Sequence, residues 1–186
     1  MSIVTVLATT KFISVMTDGR ITGDDGIINC EEYQKVLILK ENTFIAFTGR
    51  VESFELLLSQ INLDEYNNYK DFSLHIYEIF LRMITNNQKL VIVIGGINSK
   101  NEIGYCYFSN IGHALTEVKP SKDNEIDRLL LVNSGFGIEA LLDNCLMKTG
   151  FDTLEKVIEI QGCIHDYQAK HDVAVNYKKY HVVIKR

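Results

Sequence analysis

The first eighteen residues have a pattern of apolar and polar positions that predicts two short strands joined by a tight polar link. Residues 2–8 read Ser-Ile-Val-Thr-Val-Leu-Ala and residues 11–18 read Lys-Phe-Ile-Ser-Val-Met-Thr-Asp, with two threonines between them. Short runs rich in valine, isoleucine, threonine and phenylalanine are typical of strands. The chain is therefore predicted to open with a β-hairpin that begins at Ser2 and ends in the carboxylate of Asp18.

Beyond this hairpin, the hydrophobic period changes from two residues to 3.6 residues in two separate places. The first change predicts helices near residues 51–61 and 71–83, and the second predicts helices that start near residues 138 and 152. Asp71 and Asp152 are the predicted N-caps of two of these helices. Further strands are predicted at 35–39, 43–48, 90–94, 103–108, 113–118, 129–132, 173–175 and 180–184, the last two as a closing hairpin.

The order of these elements predicts the fold class. Strictly alternating βαβ units are absent from the predicted order, which disfavours a doubly wound parallel sheet. Residues 90–94 are apolar at every position, as is typical of a strand covered on both faces. Two stacked, mainly antiparallel sheets with one helix pair outside each would bury every apolar face. We therefore expect an α+β fold, a four-layer α-β-β-α sandwich, with residues 1–186 in a single domain.

Composition and charge narrow the class of protein. The 186 residues are 46% hydrophobic and 23% charged, with a single proline, Pro120, as expected of one globular domain. The net charge of −5 argues against a nucleic-acid surface. No apolar stretch reaches the roughly 20 residues that span a bilayer, and no basic segment followed by an apolar one marks a secretory signal. We expect a cytoplasmic protein without a membrane partner.

The cysteines and histidines give no sign of a metal or redox centre. The four cysteines are widely separated, without a Cys-x-x-Cys pair, and the five histidines lack metal-ligand spacing. We expect small buried thiols rather than disulfides or a zinc site. The cysteines are Cys30, Cys106, Cys145 and Cys163. No cofactor and no metal are expected.

Three polar residues fall at the ends of predicted strands, where they could form a catalytic group. Ser2 opens the first strand, Asp18 closes the second and Lys35 opens the third. If Met1 is removed, Ser2 carries a hydroxyl and a free α-amine. Such an amine has a pKa of about 8 and can act as general base for its own side chain. A lysine beside this nucleophile would keep the base neutral and stabilise an oxyanion, and a carboxylate would hold the lysine. Gly49, at a bend after the next strand, could bring a backbone N–H to a substrate carbonyl.

Each of these residues also has an ordinary structural explanation. A first strand can simply begin with serine, the Asp18-Gly19 pair has the composition of a turn, and a lysine at a strand start is often a solvated flank. Residues 133–137 have the glycines of a phosphate-binding loop, but no lysine follows them at Walker spacing. Taken one at a time, these residues do not decide between a catalytic role and an ordinary structural one.

Taken in order, the motifs resemble those of the proteasome β-subunits and the bacterial HslV-type peptidases, within the N-terminal-nucleophile hydrolase superfamily. The segments that carry the resemblance are Ser2-Ile-Val-Thr-Val, Thr17-Asp18-Gly19-Arg20, Gln34-Lys35-Val36 and Phe47-Thr48-Gly49. Weaker matches are Asn133-Ser134-Gly135, before the third helix, and Asp172-Val-Ala-Val175. The order of elements agrees over essentially the whole chain.

The resemblance implies roles for the residues in these motifs. Ser2 would take the place of the family's nucleophilic threonine. Asp18 and Lys35 match the family's acid and lysine, and Gly49 matches its oxyanion-hole glycine.

Two outlying residues, Ser134 and Asp172, match those that orient the amine in the family. The sequence also departs from the family pattern in three respects. The nucleophile is a serine, which lacks the methyl group that orients the threonine hydroxyl. Val175 stands where the family usually has a second serine near the amine. While Met1 is attached, the amine of Ser2 is part of a peptide bond and cannot act as a base.

The resemblance implies a homo-oligomeric ring whose sites face a shared chamber. It would cleave peptides or unfolded proteins through Ser2 and an acyl-enzyme intermediate, with an ATP-dependent unfoldase as the implied partner. The alternative is a catalytically degenerate protein that keeps the fold and the ring in a structural or binding role. A further alternative is another N-terminal-nucleophile amidase that acts on a small molecule.

Overall fold

The strands and helices follow the predicted order within the residues that the computed structural model describes, 2–23, 25–62, 66–83, 89–132 and 137–186. The strands are β1 (Val4–Ala8), β2 (Phe12–Asp18), β3 (Ile21–Thr22), β4 (Ile28–Cys30), β5 (Val36–Lys40), β6 (Thr43–Gly49), β7 (Leu90–Ile97), β8 (Ile103–Ser109), β9 (Thr116–Val118), β10 (Asp127–Leu131) and β11 (Lys179–Lys185). The helices are α1 (Val51–Leu58), α2 (Tyr69–Met83), α3 (Ile138–Thr149) and α4 (Leu154–His171).

The first hairpin lies at the centre of a four-stranded antiparallel sheet. β1 and β2 pair with each other, while β10 flanks β1 and β11 flanks β2. Both central strands are buried along their full length. Val4 pairs with Thr17 in this register. The residues just before β1 therefore meet the end of β2, where Asp18 lies.

The second sheet has five antiparallel strands in the order β5-β6-β7-β8-β9. A two-residue turn at positions 41–42, as predicted, joins β5 to β6. Neighbouring residues of β7, such as Ile92 and Val93, pack into different cores on opposite sides of the sheet. The prediction that this strand is covered on both faces is confirmed.

Three apolar cores separate four layers. One core lies between the two sheets, one between the five-stranded sheet and α1 and α2, and one between the four-stranded sheet and α3 and α4. Stacking of Phe47 on Phe54, with ring centroids 3.8 Å apart, ties α1 to β6. The protein therefore has the expected α+β architecture, a four-layer α-β-β-α sandwich of two stacked antiparallel sheets.

The predicted closing hairpin is wrong. Residues 173–175 form no strand, and β11 pairs with β2 instead. The segment folds into a turn because the N–H of Val175 donates to the carbonyl of Asp172 at 3.0 Å and the N–H of Ala174 donates to the Asp172 carboxylate at 2.9 Å. A short β3-β4 ribbon is a further addition that the pattern did not predict.

Two predicted helix caps are also wrong, each displaced by a nearby residue with the same capping chemistry. The side-chain oxygen of Asn68, rather than that of Asp71, accepts hydrogen bonds at the start of α2. Thr153 caps α4 in place of Asp152. Asparagine, aspartate and threonine are all good N-caps, so composition alone does not choose between neighbours.

The cysteines are free thiols, but only Cys106 is buried; Cys163 is exposed, and Cys30 and Cys145 are half-buried. The prediction of buried thiols is thus right for Cys106 and wrong for Cys163. Among the described helices, none combines the length and apolarity that crossing a membrane requires.

Candidate active site

The end of β2 and the start of β1 bring Asp18 beside Ser2. The N–H of Ile3, one residue after Ser2, donates to Asp18 Oδ1 at 3.0 Å. The N–H of Arg20 donates to Asp18 Oδ2 at 2.9 Å. The carboxylate is completely buried, and these hydrogen bonds fix its orientation. The hairpin register therefore places an oriented carboxylate next to the serine.

Lys35 links the serine to this carboxylate. Its Nζ lies 2.6 Å from Ser2 Oγ and 2.9 Å from Asp18 Oδ2. It also donates to the backbone carbonyl of Arg20. A lysine ammonium has three N–H donors, so these contacts can use all of them. Although Lys35 and Ser2 are far apart in sequence, the start of β5 and the start of β1 bring the two side chains together.

Burial sets the electrostatics of this group. The Lys35 side chain is only 2% exposed. Desolvation lowers the pKa of Lys35, and attraction to Asp18 offsets part of that shift. The lysine is thereby held closer to the point where it can exchange a proton with a neighbouring hydroxyl.

Gly49, the last residue of β6, lies at the same pocket. Its φ of 122° is in the region that favours glycine, and a Cβ would come within 2.1 Å of the Lys89 carbonyl oxygen. The N–H of Phe47, two residues earlier, donates to the Lys35 carbonyl at 3.1 Å. Because N–H groups alternate sides along a strand, the Gly49 N–H is directed to the same side as that of Phe47, beyond the start of β5.

A small cleft of about 40 Å³ opens over this group of residues. It is lined by Ser2, Arg20, Ile21, Thr22, Lys35, Gly49, Val51 and Ala174. The sequence predicted that Ser2, Lys35 and Gly49 would share a site, and the structure brings all of them to the cleft, with Asp18 beneath them. A serine hydroxyl, a buried ammonium and a backbone N–H around one cleft can activate a nucleophile and stabilise an oxyanion.

Asp172 lies near the cleft through Ala174, but its carboxylate is engaged in its own segment. Its Oδ1 accepts from the Ala174 N–H at 2.9 Å and its Oδ2 from Gln168 Nε2 at 3.2 Å. Ser134 and Met1 lie outside the described residues. Arg20 has no predicted role, yet its backbone N–H and carbonyl contact Asp18 and Lys35. No side-chain pattern signals such backbone contacts.

The sequence and the fold of this chain can each be compared with those of known proteins. No family profile and no curated protein sequence matches the chain. The fold is similar to that of the crystal structure of eukaryotic HslV from Trypanosoma brucei, with a TM-score of 0.73 and 13% identity over 99% of each chain. It is also similar to Anbu (ancestral beta-subunit) from Yersinia bercovieri, with a TM-score of 0.76 and 10% identity over 98% of this chain and 81% of that one. The chain therefore shares the fold of HslV and Anbu, the proteasome-like fold that the sequence motifs predicted.

Proposed function

We propose that the protein is an N-terminal-nucleophile hydrolase that cleaves peptide bonds through Ser2 once Met1 has been removed. The observation that carries this proposal is the position of the buried Lys35 ammonium, 2.6 Å from Ser2 Oγ and 2.9 Å from Asp18 Oδ2. A solvated lysine at a strand start would not be enclosed in this way. The agreement of the fold with HslV and Anbu supports the same conclusion.

The proposed reaction has two stages. Ser2 Oγ attacks the carbonyl carbon of the peptide bond, and its proton passes to the free α-amine of Ser2. The Gly49 N–H stabilises the tetrahedral oxyanion. Collapse of the intermediate breaks the C–N bond, and the leaving amine takes up the proton. Water then hydrolyses the acyl ester on Ser2 and restores the hydroxyl.

The proposed function also implies a mode of assembly and a class of substrate. We propose a single-domain subunit in a cytoplasmic homo-oligomeric ring that acts on peptides or unfolded proteins. Enclosure of the sites in a ring would exclude folded proteins. An ATP-dependent unfoldase would then supply unfolded chains. Ser134 and Asp172 are proposed to orient the Ser2 amine.

A non-enzymatic role is the second candidate, and one observation favours it. Val175, which stands at the position of the family's second serine, is buried and offers no hydroxyl. If Met1 is retained as well, the amine is absent from the site. The protein would then keep the fold and the ring in a structural or binding role.

The intact mass of protein purified from its native host separates the two candidates. A mass without Met1, together with hydrolysis of short fluorogenic peptides, is the expected result. Ser2→Ala and Lys35→Ala should each abolish turnover. A population that carries Met1 throughout would overturn the Ser2 mechanism.

Matched surface variants control for general damage. Ser121 and Lys122 lie on an exposed loop, and their replacement by alanine should leave turnover unchanged. Lys35→Ala leaves the buried Asp18 carboxylate unpaired and is expected to destabilise the protein. Ser2→Ala removes one oxygen atom and tests the nucleophile without that cost. Unchanged turnover in both site variants would show that hydrolysis occurs elsewhere.

A further inference from the structure

Three separate segments carry the proposed active site, and one polar cluster joins them. The segments are 18–20, which contains Asp18, 31–35, which contains Lys35, and 172–176, which borders the cleft through Ala174. We call the side chains of Arg20, Glu31 and Asn176 the brace, because each of them crosses from one segment to another.

Asn176 bonds to both of the other segments. Its Nδ2 donates to the backbone carbonyl of Glu31 at 2.7 Å and to Glu31 Oε2 at 2.6 Å. Its Oδ1 accepts from the N–H of Gly19 at 3.0 Å. The residue is only 7% exposed. A buried asparagine whose donors and acceptor all bond to other segments is a specific tie rather than a solvated side chain.

Glu31 and Arg20 complete the brace. Arg20 Nε donates to Glu31 Oε2 at 3.1 Å, and Arg20 Nη2 lies 3.0 Å from Glu31 Oε1, so the pair is bidentate. Arg20 Nη1 donates to the carbonyl of Val173. Hydrogen bonds from Arg20 and Asn176 lower the pKa of Glu31, which keeps the carboxylate ionised.

The brace reaches the reacting groups through the backbone of residues 19 and 20. The Arg20 N–H and carbonyl contact Asp18 and Lys35, and the neighbouring Gly19 N–H is held by Asn176. The Gly19 carbonyl accepts from the N–H of Tyr33, two residues before Lys35. A shift of this backbone would change the separation of Asp18 and Lys35 directly.

We propose that Asn176, acting with Glu31, is a positioning residue that sets the contact between Lys35 and Asp18. This inference rests on the proposed function, because it assigns a part in that same site. Neither residue was singled out by the sequence. The brace holds the segment around Ala174 and the loop before β5 against the end of β2, so that the lysine and carboxylate meet at a fixed distance.

The test compares Asn176→Asp, Glu31→Gln and the double variant. Aspartate has the shape of asparagine but sets a second carboxylate against Glu31, which repels it. Glu31→Gln in the same chain removes that repulsion and restores the net charge of the brace. We expect kcat to fall at least about tenfold in Asn176→Asp with KM within about twofold, and to recover about threefold or more in the double variant.

The pH profile separates positioning from simple stability. A looser Asp18 attracts the ammonium less, which lowers the pKa of Lys35 further. The limb of the kcat profile that depends on Lys35 should therefore move to lower pH in Asn176→Asp and return toward its original position in the double variant. A lower melting temperature with an unchanged profile would overturn the proposal.

Glu32→Gln is the matched control, since the Glu32 side chain is 72% exposed and lies 3.4 Å from Lys178. It should leave kcat and the pH profile unchanged. Crystal structures of the natural protein and Asn176→Asp test the brace without activity. The Lys35 Nζ to Asp18 Oδ2 distance is expected to lengthen beyond about 3.2 Å, outside normal hydrogen-bond range. An unchanged distance would overturn the positioning role, whereas a natural protein without hydrolysis would instead overturn the proposed function.

Discussion

At the scale of single residues, the site depends on a charge that is held away from water. An isolated ammonium is costly to bury, but Lys35 is stabilised by the Asp18 carboxylate and by two further oxygen acceptors. Desolvation nevertheless dominates and lowers the pKa of Lys35. Burial makes the charge of Lys35 energetically costly, and it also holds the ammonium in contact with the serine hydroxyl.

Gly49 is the residue whose replacement gives the clearest test of local geometry. We expect Gly49→Ala to destabilise the protein by more than about 2 kcal/mol, because its Cβ would overlap the Lys89 carbonyl oxygen at 2.1 Å. Gly112 has the same φ of 122°, but a Cβ there meets nothing within 4 Å.

Urea unfolding of the two alanine variants separates backbone strain from steric overlap. Gly112→Ala should cost only the strain of its backbone conformation, about 1 kcal/mol. The excess in Gly49→Ala then measures the close approach of β6 to the segment before β7. Equal losses in the two variants would show that this approach does not matter.

At the scale of elements, a buried polar cluster joins α4 to the four-stranded sheet. Gln161 Nε2 donates to the Thr5 carbonyl at 3.0 Å and to the Ser14 carbonyl at 3.2 Å. His165 Nε2 lies 3.1 Å from Thr5 Oγ1. α4 therefore makes polar contacts with β1 and β2 in addition to its apolar packing against these strands.

His165 makes this contact sensitive to acid. Burial, with a smaller contribution from Lys179, lowers its pKa from 6.5 to about 3. Between these values the unfolded chain binds more protons than the folded one, so stability rises with pH through this window and is lost as the pH falls below about 6.5. The loss can reach at most about 1.4 kcal/mol per pH unit from this one group.

The measurement is urea unfolding at several pH values between 7 and 4 for the natural protein and His165→Gln. The natural protein should lose stability on acidification more steeply than the variant, because the variant lacks the titrating group. The exposed His113 provides the control, and His113→Gln should follow the natural curve. Parallel curves for His165→Gln and the natural protein would contradict the assignment.

The elements and the main site residues were predictable for a physical reason. Hydrophobic period fixes which face of a strand or helix is buried, and the ends of two paired antiparallel strands meet, which is how Ser2 and Asp18 could be grouped. Lys35 lies beside the other sheet, and it could be added only through its chemistry and the family resemblance. Asn176 and the Arg20 backbone were not predictable in this way. The position of Asn176 depends on a turn at residues 173–175 that the apolar pattern presents as a strand, and the backbone contacts of Arg20 leave no side-chain pattern.

At the scale of the whole molecule, large apolar side chains are exposed on several elements of the described chain. Large hydrophobic side chains with more than two-fifths of their surface exposed include Ile27, Ile28, Ile38, Leu56, Leu74, Leu81, Ile111 and Met147. Exposed apolar surface of this kind marks interaction sites when it is contiguous. The proposed ring would cover those of these side chains that lie at its subunit contacts.

We expect the natural protein to sediment as a closed oligomer at micromolar concentration. The Ser2→Ala variant should give the same species, because the serine is buried and the substitution removes only one oxygen atom. Sedimentation velocity over a dilution series measures both. A monomer in both proteins would count against a compartmentalised protease, whereas assembly lost only in Ser2→Ala would tie the ring to the site.

The central place of β2 has a consequence for how the protein is made. β2 pairs with β1, which is synthesised just before it, and with β11, which follows only after residues 19–178. One edge of β2 therefore has no partner until residues 179–185 have been made, and pairing over such a long loop is slow. The brace also needs Asn176 from the same late segment. A nascent chain thus holds Ser2, Asp18 and Lys35 without these contacts, and the proposed site can be completed only after residues 176–185 have been made.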